Sequence, residues 1–167
     1  MKSLAGRWAR DLLVLLILLG VIMWGVDRVR APHMPVDIGL QQGEITGQPS
    51  PSLMALSQDK PLLVYFWASW CAICKLTTPT VAALAADGMN VHSVALRSGD
   101  AAHLEKMLAA RGLKLPLSID PDGKLAASWG VSVTPTFVVL YRGELVSSTT
   151  GWSSSLGLKA RMWMAQL

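Results

Sequence analysis

Leu62-Leu63-Val64-Tyr65-Phe66-Trp67-Ala68-Ser69-Trp70-Cys71-Ala72-Ile73-Cys74-Lys75 is the stretch that decides the fold, and it carries both cysteines of the chain. Its apolar run from Leu62 to Phe66 reads as a buried strand. Past Cys74 the pattern changes: Leu76, Val81, Leu84 and Ala85 fall at helical spacing. The two thiols therefore stand where a strand hands over to a helix. At such a junction the unpaired N–H groups of the first turn and the positive end of the helix dipole favour a thiolate. Cys71, nearest the helix start, is expected to have the lower pKa and to act as nucleophile, with Cys74 resolving. Side chains three apart on a helix are neighbours, roughly 5–6 Å between Cβ atoms. A small adjustment then closes a disulfide.

Other uses of two cysteines are weaker or still open. Zinc wants four ligands, and no second pair exists. A haem attachment needs His after the second Cys, where this chain has Lys75. A Cu(I) site on the two thiolates stays open, so a copper-binding or copper-handling module is the alternative function. A structural disulfide is also open, although a bridge between residues three apart closes almost no loop and adds little stability. His33 and Met34 are adjacent potential copper ligands and read as a solvated linker pair. No metal site is assigned.

Before this stretch, Leu12 to Val26 is an unbroken apolar run, and extending it back to Trp8 gives about 19 residues, near the ~20 needed to cross a bilayer. Trp8 and Trp24 then fall near opposite membrane faces. Signal-peptide cleavage wants small residues after the run. Here Asp27-Arg28-Val29-Arg30 follow, and the one candidate spot, after Ala31, is blocked by Pro32. An uncleaved single-pass anchor is expected. Lys2, Arg7 and Arg10 with the α-amino group outweigh Arg28 and Arg30, which places the N-terminus in the cytoplasm and the remainder outside. In a Gram-negative cell that means the inner membrane with the C-terminal domain in the periplasm. The anchor also explains the 51% hydrophobic fraction, and residues 1–30 carry +3 of the formal charge of +4. No basic stripe with interleaved aromatics appears, so no nucleic-acid partner is expected.

Three domains follow: 1–30 as N-terminal tip and anchor, 31–54 as an extracytoplasmic linker punctuated by Pro and Gly, and 55–167 as the folded domain. Val36 to Leu40 could pair as an edge strand. Within the domain a helix runs from Cys71 to about Ala86, kinked by Pro79. A strand covers Asn90 to Leu96. Asp100 caps a helix that Gly112 stops. A strand covers Leu115 to Ile119, and a short helix Leu125 to Trp129. Pro135 heads an otherwise central strand, which a cis Thr134–Pro135 bond would explain. Arg142-Gly143 turns the chain into a returning strand, Glu144 to Thr149. At the end, Leu156, Ala160, Trp163 and Leu167 share a helix face that is expected to pack inward, with Lys159 and Arg161 outside. No role is assigned to His92 or His103. The order β-α-β-α-β-α-β-β-α implies a mixed α/β sheet with helices on both faces.

Over residues 55–167 the chain resembles the thioredoxin superfamily. The resemblance rests on Phe66-Trp67-Ala68-Ser69-Trp70-Cys71-Ala72-Ile73-Cys74, on Pro79 at the helix kink, on Thr134-Pro135-Thr136 at the cis-proline position and on Gly143 in the next turn. The anchor and the segment from Val91 to Ile119 are most similar to the membrane-tethered, extracytoplasmic TlpA-like branch. The resemblance implies a thioredoxin fold and thiol–disulfide oxidoreductase activity on protein substrates. It further implies no cofactor beyond the redox-active Cys71–Cys74 disulfide, a membrane redox partner, a monomeric state and a link to copper tolerance. It places Cys71 at the surface with Trp70 beside it, and Thr134 and Pro135 against the disulfide to align an extended substrate. Thioredoxins carry a buried Asp in the strand before the motif, and this chain has Tyr65 there. Tyr is neutral near pH 7, which removes efficient general-base help from that position. Lys75 adds positive charge beside the motif. The Ala72-Ile73 pair lacks the His or Pro of better-known relatives, so the direction of electron flow is not set by the wording.

Overall fold

The structure, a computed structural model, describes residues 4–29, 31–33, 44–45, 48–49 and 52–167. α1 (Leu4–Val29) contains the apolar run; its segment Arg7–Val26 has a mean hydropathy of 2.1, with no residue buried. At 1.5 Å per residue, such a segment is about 30 Å long, the thickness of a bilayer's hydrocarbon core. Beyond it Pro32 is buried, and the His33 N–H donates to the Trp129 carbonyl at 3.0 Å. Met34 and the strand expected over Val36 to Leu40 lie outside the described residues. β1 (Glu44–Ile45) and β2 (Gln48–Pro49) form a small antiparallel pair. α2 (Leu53–Leu56), which the sequence pattern did not reveal, is capped by Ser52 through the Ala55 N–H at 3.1 Å.

The domain is built on β3 (Leu62–Trp67), α3 (Ala72–Ala86), β4 (Val91–Leu96), α4 (Ala101–Ala109) and β5 (Leu117–Asp120), followed by α5 (Lys124–Ser128), β6 (Thr136–Tyr141), β7 (Glu144–Thr150) and α6 (Ser155–Met164). The sheet order is β5-β4-β3-β6-β7. β3, β4 and β5 are parallel, and β6 and β7 antiparallel to their neighbours. β3 is central and buried along its whole length, which is why it reads as a continuous apolar run rather than an alternation. Its side chains still divide between two cores. Leu63, Tyr65 and Trp67 pack with Val81 and Leu84 of α3, Leu104 and Leu108 of α4, and Leu158 and Met162 of α6. On the other face Leu62, Val64 and Phe66 pack with Leu53 of α2 and with Ala126 and Trp129 at α5. This is the thioredoxin fold expected from the sequence.

Two expectations are corrected. β5 begins at Leu117 rather than Leu115, because Pro116 precedes it and offers only its carbonyl, which accepts from the Ser93 N–H at 2.8 Å. The larger correction concerns α6. Its buried residues are Leu158 and Met162, while Leu156, Trp163 and Leu167 are exposed at 78%, 63% and 87%. Arg161, expected outside, is half-buried and donates from Nη1 to Ser147 Oγ at 2.9 Å; Lys159 is outside and pairs with Asp87 at 3.2 Å. The β6–β7 hairpin turns as expected, with Arg142 at φ 52° and Gly143 at φ 77°, the signs a two-residue type I′ turn needs.

Candidate active site

β3 ends at Trp67, and four residues later Cys71 stands at the N-cap of α3 in extended conformation. Its sulfur does what a Ser or Asp oxygen does at other helix starts: the Cys74 N–H donates to Cys71 Sγ at 3.2 Å. Cys71 and Cys74 form a disulfide, with their Cα atoms 5.2 Å apart. Cys71 is more enclosed than the resemblance implied. Cys71 is 7% exposed and Cys74 0%, so the difference between them has the expected sign but the surface offered is small.

Trp70 directly precedes Cys71. It is 64% exposed, and its Nε1–H donates to the Arg97 carbonyl at 3.2 Å, just past the end of β4. The Ser69 N–H donates to Ser98 Oγ at 2.9 Å, which ties the same turn down a second time. Cys71 Sγ lies 3.5 Å from the Thr134 carbonyl oxygen, and the Thr134–Pro135 bond is cis. Thr136 Oγ1 donates to the Val133 carbonyl at 2.7 Å and the Gly151 N–H to the Pro135 carbonyl at 2.8 Å, so this segment is braced at both ends.

Beneath Cys74 lies a buried hydroxyl cluster. The Tyr65 hydroxyl is 3.0 Å from both Thr77 Oγ1 and Thr78 Oγ1, and Thr78 Oγ1 donates to the Cys74 carbonyl at 2.6 Å. Burial pushes the Tyr65 phenol up from its usual value of 10.0, and the hydrogen bonds from Thr77 and Thr78 pull it down by less. Tyr65 is therefore neutral at physiological pH and cannot stand in for a carboxylate. Its hydroxyl instead ties the first turn of α3 to β3. Lys75 projects outward and is exposed.

The structure thus gathers Tyr65, Trp70, Cys71, Cys74, Thr134 and Pro135 at one end of the sheet. Thr77, Thr78, Arg97 and Ser98 join them and were not singled out in the sequence. Hydroxyls three and four residues past Cys74 were the available signal, since Thr at that spacing reaches back to a helical carbonyl. Arg97 and Ser98 gave none, because their contribution depends on β4 pairing beside β3.

A disulfide at a strand-to-helix junction under a cis-proline segment, on this sheet, is the site of a thiol–disulfide oxidoreductase of thioredoxin fold. The chain belongs to the AhpC/TSA family, which matches residues 35–150. It is 39% identical over 142 residues, 84% of each chain, to a thioredoxin-like protein of Haemophilus influenzae. It is 36% identical over 99 residues to the thiol:disulfide interchange protein HelX of Rhodobacter capsulatus, covering 58% of this chain and 55% of HelX. Among solved structures it is similar to the exposed lipoprotein thioredoxin Etrx1 of Streptococcus pneumoniae, with a TM-score of 0.59 and 24% identity over 80% of this chain and 97% of that one.

Proposed function

We propose that this oxidoreductase is held at the inner membrane by α1 and exchanges disulfides with protein substrates in the periplasm. Cys71 attacks and Cys74 resolves. The observation that carries the assignment is the Cys74 N–H aimed at Cys71 Sγ from the first turn of α3. A backbone donor and a helix N-terminus both favour negative charge on that sulfur. In the reducing direction the Cys71 thiolate bonds to one sulfur of a substrate disulfide, and the other substrate sulfur leaves as thiolate and takes a proton. Cys74 then gives up its proton and bonds to Cys71, releasing the second substrate thiolate. Two electrons pass to the substrate, and the disulfide seen here is restored. Oxidation of a substrate dithiol is the same sequence in reverse.

Trp70, Thr134 and Pro135 are proposed to position the substrate. The backbone preceding Pro135 offers a strand-like peptide a partner for main-chain hydrogen bonds, which makes binding tolerant of sequence. Lys75 and Tyr65 support the site, one by charge and one by bracing the turn. A protein in the same membrane is the proposed redox partner of the Cys71–Cys74 couple, and the enzyme is proposed to work as a monomer. Cys71-Ala72-Ile73-Cys74-Lys75-Leu76-Thr77-Thr78-Pro79 resembles the corresponding stretch of suppressor of copper sensitivity protein D, and on that likeness the proposal extends to copper tolerance.

The test is covalent trapping. Cys74→Ala keeps the attacking sulfur and removes the resolving one, so mixed disulfides should accumulate on non-reducing gels of cells expressing the full chain. Cys71→Ala should abolish them. A copper module predicts otherwise: both substitutions would lose Cu(I) equally, and neither would trap a protein.

A further inference from the structure

Pro79 interrupts α3 close to the two sulfurs. In an uninterrupted helix the N–H of residue 79 would donate to the carbonyl of Lys75, four residues back. Proline has no N–H, so this carbonyl, next in the chain to Cys74, loses its helical partner. Arg111 supplies the missing donor: its Nη2 donates to the Lys75 carbonyl at 3.1 Å. Arg111 lies just past α4, where its own N–H donates to the Leu108 carbonyl at 3.0 Å and Gly112, at φ 68°, turns the chain away. The guanidinium thus reaches from the α4 turn to the active-site helix.

The same joint holds a cavity of about 20 Å³, lined by Trp67, Ala68, Ser69, Lys75, Thr78, Met107 and Arg111. Trp67 is almost fully buried, and its indole N–H has no hydrogen-bond partner among the described residues. α3 and the end of α4 therefore meet here around a gap, and the Arg111 bond spans it. The charge matters as well. The Lys75 N–H donates to the Cys71 carbonyl, so Lys75 sits one helical turn beyond Cys71, and a guanidinium on its carbonyl brings positive charge to that turn.

We propose that Arg111 is a positioning residue for thiol–disulfide exchange. It replaces the N–H that Pro79 removes, holds the turn that carries both sulfurs, and favours the thiolate of reduced Cys71. Reduction of the disulfide takes two electrons and one proton for each sulfur that is not left as thiolate. A charge that stabilises the thiolate therefore stabilises the reduced form and makes the couple more oxidising.

The experiment uses the full chain in detergent as wild type, Arg111→Met and Arg111→Lys. It reads the pH dependence of Cys71 alkylation in the reduced protein and the redox equilibrium against glutathione. Arg111→Met should move the alkylation midpoint to higher pH and shift the equilibrium toward the disulfide by roughly two- to fivefold, the scale of one charge near a helix terminus. Arg111→Lys should restore most of both. Pro79→Ala returns an N–H to the Lys75 carbonyl, so in that background Arg111→Met should shift the equilibrium less. An unchanged alkylation profile and equilibrium in Arg111→Met, even with a lowered Tm, would leave a structural brace and overturn the proposal. So would Arg111→Lys behaving like Arg111→Met, or an equal shift with and without Pro79.

Discussion

The buried hydroxyls beneath the disulfide are held by one another and by a backbone carbonyl. Tyr65, Thr77 and Thr78 are buried hydroxyls that together satisfy their own hydrogen-bonding and grip the Cys74 carbonyl. The turn under the disulfide is therefore rigid without a buried charge, whose desolvation would be costly. His92 is a different case. It is buried on β4, and its Nε2 lies 2.8 Å from Ser118 Oγ. Burial lowers its pKa from the usual 6.5 to about 4. Between those two values the unfolded chain takes up a proton that the folded domain refuses. Stability from this group is whole above about pH 6.5 and is lost as the pH falls toward 4, by about 3 kcal/mol in all. Thermal melts of wild type and His92→Gln at pH 7 and pH 5 check this. The wild type should lose more stability on acidification than the variant, in which residue 92 does not titrate.

At the scale of the element, α6 carries two apolar stripes. Leu158, Met162 and Ala165 repeat at helical spacing on one side, and Leu156, Ala160, Trp163 and Leu167 on the other. Only the first packs onto α3 and the sheet. Truncating Leu158 empties a filled core position, whereas truncating Leu156 removes atoms already in water. Leu158→Ala should cost about 2–4 kcal/mol and Leu156→Ala under about 0.5 kcal/mol. Urea unfolding of the two variants is the measurement, and equal losses would contradict the packing described. The first turn of α3 is the other element of consequence, since a sulfur caps it and hydroxyls hold it from below.

For the whole molecule, the exposed apolar segment Arg7–Val26 and the enclosed domain call for different solvents. The full chain should stay with the membrane through an alkaline carbonate wash. After reduction, a membrane-impermeant maleimide added to spheroplasts should reach Cys71 from outside the inner membrane. A soluble mature protein starting near Pro32, or labelling only after lysis, would reject the anchored arrangement.

What the sequence determined by itself was local. The Leu62–Phe66 run, the cysteines at the strand-to-helix junction, Pro79 in the helix, Pro135 at a strand head and Arg142-Gly143 in a turn each act through backbone geometry within a few residues. Such signals survive without knowledge of the rest of the chain. Tertiary structure decided whatever depended on a distant neighbour. Tyr65 became a brace because α3 laid Thr77 and Thr78 over it, and Trp70 was fixed because β4 brought the Arg97 carbonyl alongside. The inward face of α6 could not be read from periodicity, because both of its stripes are apolar and helical. The choice between them was made by the shape of the sheet and α3, against which Leu158 and Met162 exclude water and Trp163 does not.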